Sequence, residues 1–188
     1  MLAQRGAGYF NPDEAAARVL AANPGVSQGA ANSAAWFEGK RLLERAIAEH
    51  MDYAFETTLG GNTITSLLEE ALAAGLEVRL WYVGLSSPEP NIARVRARAA
   101  SGGHDIPEAT IRERYDRSRL NLIRLLPRLT ELLVYDNSKE ADPARGVAPR
   151  PMLILHMGQD RAPKTCELSA APEWAKPILM AALRLKQR

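Results

Sequence analysis

An α/β fold with a largely parallel sheet is predicted by three features of the sequence. Short apolar or aromatic runs alternate with longer segments of helical periodicity along most of the chain. Glycine or proline marks many of the junctions, as at Gly60-Gly61, Gly75 and Gly84. Finally, 46% apolar and 24% charged residues over 188 positions suit one globular domain, residues 1–188, with a sizeable core.

In chain order, residues 1–5 read as the last turn of a helix, with Gly6 where a cap falls, and Gly8-Tyr9-Phe10 begins a strand. Asn11-Pro12-Asp13-Glu14 opens a helix over 15–22, because proline suits the first helical position and acids suit the first turn. Asn23-Pro24-Gly25 ends it. A second helix covers about 30–51, with Ala35, Leu42, Leu43, Ala46 and Ile47 on its apolar side. Residues 53–58 (YAFETT) form a strand by aromatic and threonine content. A third helix, 62–74, carries Ile64, Leu67, Leu68 and Ala71 at helical spacing, widened by Leu72. Strands follow at 77–83 (EVRLWYV), 131–135 (ELLVY) and 152–157 (MLILHM), and a closing helix spans 172–185.

Between the first two of those strands, residues 94–124 form two helices around Gly102-Gly103-His104. Asp105 with Glu108 has capping-box spacing. Ile111, Tyr115, Ser118, Leu122 and Leu125 make a core-facing stripe, while Arg114, Arg117, Asn121 and Arg124 fall on another. Arg94 and Arg98 lie one turn apart on the preceding helix, and no lysine occurs between Lys40 and Lys139. Arginine is suited to bidentate contact with phosphate oxygens. The glycine pair beside it predicts a mobile, phosphate-contacting lid; Glu113 and Asp116 leave a plain solvated face as the alternative.

Several classes are disfavoured. A net charge of +2 gives no bulk attraction for nucleic acid. No apolar run approaches the ~18 residues of a membrane span, and the start has no signal-peptide layout. A cytoplasmic location is the default expectation. One cysteine, Cys166, builds neither a disulfide framework nor a multi-cysteine metal site, and His50, His104 and His156 lack zinc spacing.

In parallel α/β sheets ligands bind beyond the carboxyl ends of strands, where Asn11, Asp13, Glu56 and Thr58 fall. Asp13 stands in a first helical turn, where amides and the helix dipole favour negative charge. It can accept a proton from a hydroxyl that attacks a phosphoryl group, or simply support the helix start. Glu56, set in an apolar and hydroxyl-bearing strand, either pairs with an arginine or binds a metal ion or substrate hydroxyl. Thr58 shares its face by the two-residue period of a strand. His104 is either a phosphate donor or a surface histidine.

Four segments in order resemble the bacterial zeta toxin family and its UDP-N-acetylglucosamine kinase relatives. They are Phe10-Asn11-Pro12-Asp13-Glu14, Phe55-Glu56-Thr57-Thr58-Leu59, Leu80-Trp81-Tyr82-Val83-Gly84-Leu85, and the block from Arg94 through Gly102-Gly103-His104-Asp105-Ile106-Pro107 to Arg114-Tyr115 and Arg119. Tyr135-Asp136-Asn137-Ser138 fits as well, and Pro172-Glu173-Trp174-Ala175-Lys176-Pro177 is similar to small members of the group. The resemblance implies a P-loop-kinase-like α/β fold with a helical lid. It implies transfer of the γ-phosphate of ATP, with Mg²⁺, to a hydroxyl of a small molecule such as UDP-N-acetylglucosamine, and an antitoxin protein as a partner. By it Asp13 is the general base, Asn11, Glu56 and Thr58 hold substrate, and Arg98, His104, Arg114 and Arg117 contact phosphate.

The family pattern also requires G-x-x-x-x-G-K-[ST], whose amides cradle phosphate, and the chain has none. Its one Gly-Lys pair, Gly39-Lys40, has Ala34 where the first glycine belongs and Arg41 where Ser or Thr belongs. The family places this motif on a first, central strand upstream of residue 1. A sheet lacking that strand leaves backbone groups unpaired at about 1–3 kcal/mol each, so the expectation is either a start assigned too late or a truncated product that repairs its sheet by association with another chain. The chain alone is then expected to be inactive. The second reading is a non-catalytic remnant that binds a partner protein or a nucleotide-sugar ligand.

Overall fold

Two short strands, β1 (Tyr9–Phe10) and β2 (Ala54–Phe55), lie parallel and open the folded chain, with Tyr9 opposite Ala54 and Phe10 opposite Phe55. The computed structural model describes residues 9–100 (the Arg98 side chain apart), 106–139 and 150–185. By contact the chain divides into two units, Met1–Leu76 and Glu77–Arg188.

In the first unit, α1 (Pro12–Ala22) starts where proline occupies its first turn and Asn11 caps it. Asn23 ends it and returns its side-chain amide to the Val19 carbonyl at 2.9 Å. After Gly25, at φ 101°, α2 (Gln28–Glu49) starts on the Ser27 cap and stops at His50, a left-handed residue at φ 52°. Phe10, Ala15, Ala16, Ala31 and Ala35 form the buried core between these helices and β1, with Val19, Leu20, Leu42, Tyr53 and Phe55 packed around it. Alanines let the helices approach closely, and Gly39 leaves the space that the Phe10 ring occupies. α3 (Asn62–Ala73) follows, burying Thr65, Leu67, Leu68 and Ala71 and ending before Gly75 at φ 82°. The hydroxyl of Thr65 donates to the Gly61 carbonyl at 3.0 Å, which lets a polar residue sit on the buried face.

In the second unit, β3 (Arg79–Gly84) and β4 (Glu131–Asp136) are parallel and joined through α4 (Glu89–Ala100) and α5 (Glu108–Leu125). β5 (Met152–Met157) and the short β6 (Lys164–Thr165) complete a four-stranded sheet in the order β3-β4-β5-β6. Leu122 and Leu125 of α5 and Ile178 and Leu179 of α6 (Lys176–Leu185) are fully buried, as are Leu132 and Val134 of β4.

The α/β class and its alternation hold, but the single, mostly parallel sheet does not. The strands form two sheets, and β5 and β6 run antiparallel to their neighbours. A parallel return needs a crossover, usually helical, whereas the Pro/Gly-bearing connection from β4 to β5 has no helical pattern and β5 joins β6 across the short stretch 158–163. The strand read at 53–58 shortens to two residues, so Glu56 stands beyond the strand and not inside it. Asp105, which the sequence places at the start of a capping box, lies outside the described residues. Helix α5 begins at Glu108 after Pro107, which has no side-chain acceptor to offer. Asn121 leaves the arginine stripe and is buried, because at that radius α5 already faces the core. Residues 1–8, the Gly102-Gly103-His104 segment and most of the polar stretch after β4 lie outside the described residues. Among the described residues no helix is long and apolar enough to cross a membrane.

Candidate functional site

The carboxyl ends of β1 and β2 lie side by side because the strands are parallel and in register. The residues that follow each strand are therefore brought together. The backbone continues the pairing for one more step, with the Glu56 amide donating to the Phe10 carbonyl at 3.1 Å. Glu56 is exposed, and both of its carboxylate oxygens are engaged. The Tyr9 hydroxyl donates to one, and the Asn11 side-chain amide donates to the other at 3.2 Å.

Asn11 has a second role. Its side-chain oxygen accepts from the backbone amides of Asp13 at 2.9 Å and Glu14 at 3.2 Å, two of the donors that a helix start leaves unpaired. One asparagine thus joins the end of β2 to the first turn of α1, the turn that carries Asp13. The hydrogen bond to Glu56, with burial and its charge adding to it, holds the Tyr9 phenol up at about 12, although the ring is about half exposed.

Of the residues singled out in the sequence, Asn11, Asp13 and Glu56 come together here. Thr58 does not join them by hydrogen bond: its hydroxyl accepts from the Gly60 amide at 3.5 Å, in a turn where Thr57 likewise caps Leu59, which sits at φ 52°. The face shared by Glu56 and Thr58 assumed a continuing strand, and the strand has already ended. Tyr9 is the residue that sequence reasoning missed. Its signal was weak: a hydroxyl-bearing residue on the outward side of β1, next to inward Phe10.

Several arginines of α4 and α5 are paired with acids of the same two helices. Arg112 binds Glu89 and Glu108, each at 2.7 Å, and Arg96 reaches Glu108 at 2.7 Å. Arg117 pairs with Glu113 at 2.9 Å, and Arg119 pairs with Asp116 while stacking over the Tyr115 ring. Arg114 is exposed and, among the described residues, has no ion pair. The Arg98 side chain and His104 lie outside the described residues.

At the carboxyl ends of β3 and β4 a second polar group forms. One Asp136 oxygen accepts from the Trp174 indole at 3.0 Å, the Ser138 amide at 3.3 Å and the Ser138 hydroxyl. This arrangement fixes the Trp174 ring against Gly84 and reads as structural.

Neither a family profile nor a solved structure matches the chain. It is similar to an uncharacterized protein of Haemophilus influenzae, 40% identical over 74 residues, which is 39% of this chain and 53% of that protein. The match therefore spans about half the length of that relative and carries no activity with it.

Proposed function

We propose that this chain provides the acceptor side of a zeta-toxin-type phosphotransfer, binding a small molecule through its hydroxyls, with a nucleotide sugar such as UDP-N-acetylglucosamine as the substrate class. The observation that supports this is the hydrogen-bonded set Tyr9–Glu56–Asn11 just beyond the carboxyl ends of two parallel strands, tied to the helical turn that carries Asp13. In this reading Asp13 takes the proton from the attacking hydroxyl, and Asn11 and Glu56 define the end of the site where that hydroxyl lies. Thr58 contributes only its exposed position past β2. Arg98, His104, Arg114 and Arg117 are assigned to phosphate contact by the resemblance alone.

The donor, ATP with Mg²⁺, also belongs to the reading by resemblance. The described residues do not fit it: Gly39-Lys40 lies inside α2, where Lys40 is ion-paired with Glu44, and no cluster of three metal-ligating side chains occurs among them. The reading is tested by a thermal-shift series of nucleotide sugars on the 188-residue chain. A ligand at about a hundred times its Kd stabilises the folded state by ~2.7 kcal/mol, a shift of several degrees. Asp13→Asn should keep that shift, since Asp13 acts on the proton, whereas Asn11→Ala should reduce it. No shift with any nucleotide sugar would remove the reading.

One observation favours the second reading, a partner-binding protein such as one that meets an antitoxin. Trp81 and Val83 project from one face of β3 and are 66% and 56% exposed, and with Leu133 and Tyr135 they line an apolar groove. Pull-down of a defined antitoxin candidate, lost on Trp81→Ala, would support it.

A further inference from the structure

We propose that Glu56 is a positioning residue, held by Tyr9, that sets the orientation of the Asn11 amide and through it the first turn of α1 bearing Asp13. The inference rests on the phosphotransfer reading for its catalytic meaning and departs from the expectation that Glu56 holds substrate.

An asparagine amide has two unlike ends, one a donor and the other an acceptor. An ionised carboxylate only accepts, so Glu56 draws the nitrogen of Asn11 towards itself. The oxygen is then left facing the amides of Asp13 and Glu14, which only donate. Turned the other way, the amide would set donor against donor at the helix start and acceptor against carboxylate at β2. Both caps would be lost at once. An acceptor at position 56 therefore favours the amide orientation that caps α1.

Glu56 is itself restrained at two points. Its backbone amide is bonded to the Phe10 carbonyl at 3.1 Å, and its second carboxylate oxygen accepts the Tyr9 hydroxyl. Because Tyr9 belongs to β1 and Glu56 follows β2, the side chain bridges both strand ends before it meets Asn11. A residue with both oxygens committed in this way is arranged to hold its neighbours. The raised Tyr9 phenol reports the same contact.

The test uses Glu56→Ala, Glu56→Gln and Tyr9→Phe in the whole chain, with residue-resolved hydrogen exchange and tyrosine titration by NMR. Glu56→Ala should speed exchange at the Asp13 and Glu14 amides about fivefold, as expected for loss of one cap. It should leave the amides of α3 unchanged, and should bring the Tyr9 titration down from about 12 towards 10.0. Glu56→Gln, whose amide oxygen can still accept from Asn11, should keep protection within about twofold of the parent. Tyr9→Phe should give an intermediate loss. The same variants are titrated with UDP-N-acetylglucosamine, and each should weaken binding only in proportion to its loss of protection at Asp13 and Glu14. Unaltered exchange at Asp13 and Glu14 in Glu56→Ala would overturn the proposal, and so would a Glu56→Gln variant with normal protection but weakened sugar binding, which would make Glu56 a direct ligand. If the parent chain binds no nucleotide sugar, the phosphotransfer reading fails, while exchange and titration still decide the positioning role.

Discussion

Asn11 carries more of the local structure than any other residue of the site, since its amide serves a helix start and a carboxylate at once. Asn11→Ala is expected to destabilise the chain by about 1 kcal/mol, the usual cost of losing a side-chain cap, as read from urea unfolding. Asn11→Asp keeps an acceptor for the two amides but sets a carboxylate against Glu56, so it should lose stability above the carboxylate titration range and regain it on acidification. The helix start itself was legible in the sequence, because Asn-Pro-Asp-Glu states cap, first position and acidic first turn locally. The bond from Tyr9 to Glu56 was not. The two residues are 47 positions apart, and only the parallel register of β1 and β2 brings them together. The two-residue alternation used to place Thr58 beside Glu56 has no continuing strand to rest on, since the strand stops at Phe55.

At the scale of elements, helical periodicity located α1, α2, α3 and α5 because each buries a continuous stripe, as Leu67, Leu68 and Ala71 do in α3. Strand β6 is two residues long, too short for any period to show. Two expectations belong at this scale. Beside the packed Ile92, Val95 and Ile111, Arg112 adds an ionic link between α4 and α5, joining Glu89 of one helix to Glu108 of the other. Glu89 is held down to about 2, first by its hydrogen bond with Ser87 and then by Arg112, and Glu108 is lowered mainly by Arg112. Both folded values lie below the unfolded one. The support they give is therefore complete above the unfolded value of 4.5 and is lost as pH falls towards about 2. Hydrogen exchange in α4 and α5, corrected for intrinsic rate, should accelerate over that window, and Arg112→Ala should flatten the response. The second concerns Gly84, where an added Cβ would overlap the Trp174 ring, while the bond from its indole to Asp136 prevents that ring from retreating. Gly84→Ala is expected to cost about 1–3 kcal/mol by overpacking, visible in the fluorescence-detected unfolding midpoint. An unchanged midpoint would show that the ring moves freely.

For the molecule as a whole, alternation of strands and helices gave the α/β class, whereas strand direction was out of reach of local pattern. A strand such as Met152–Met157 looks the same in sequence whether it pairs parallel or antiparallel, and the nature of the connection before it decides. The functional account depends on the polar set beyond β1 and β2 being a place where a hydroxyl-bearing ligand lies. The most direct measurement is an NMR titration of the 15N-labelled chain with UDP-N-acetylglucosamine. The account predicts saturable shifts at the Asn11 side-chain amide and at the backbone amides of Asp13, Glu14 and Glu56. Saturable binding that leaves those signals unmoved, or no binding at all, would contradict it.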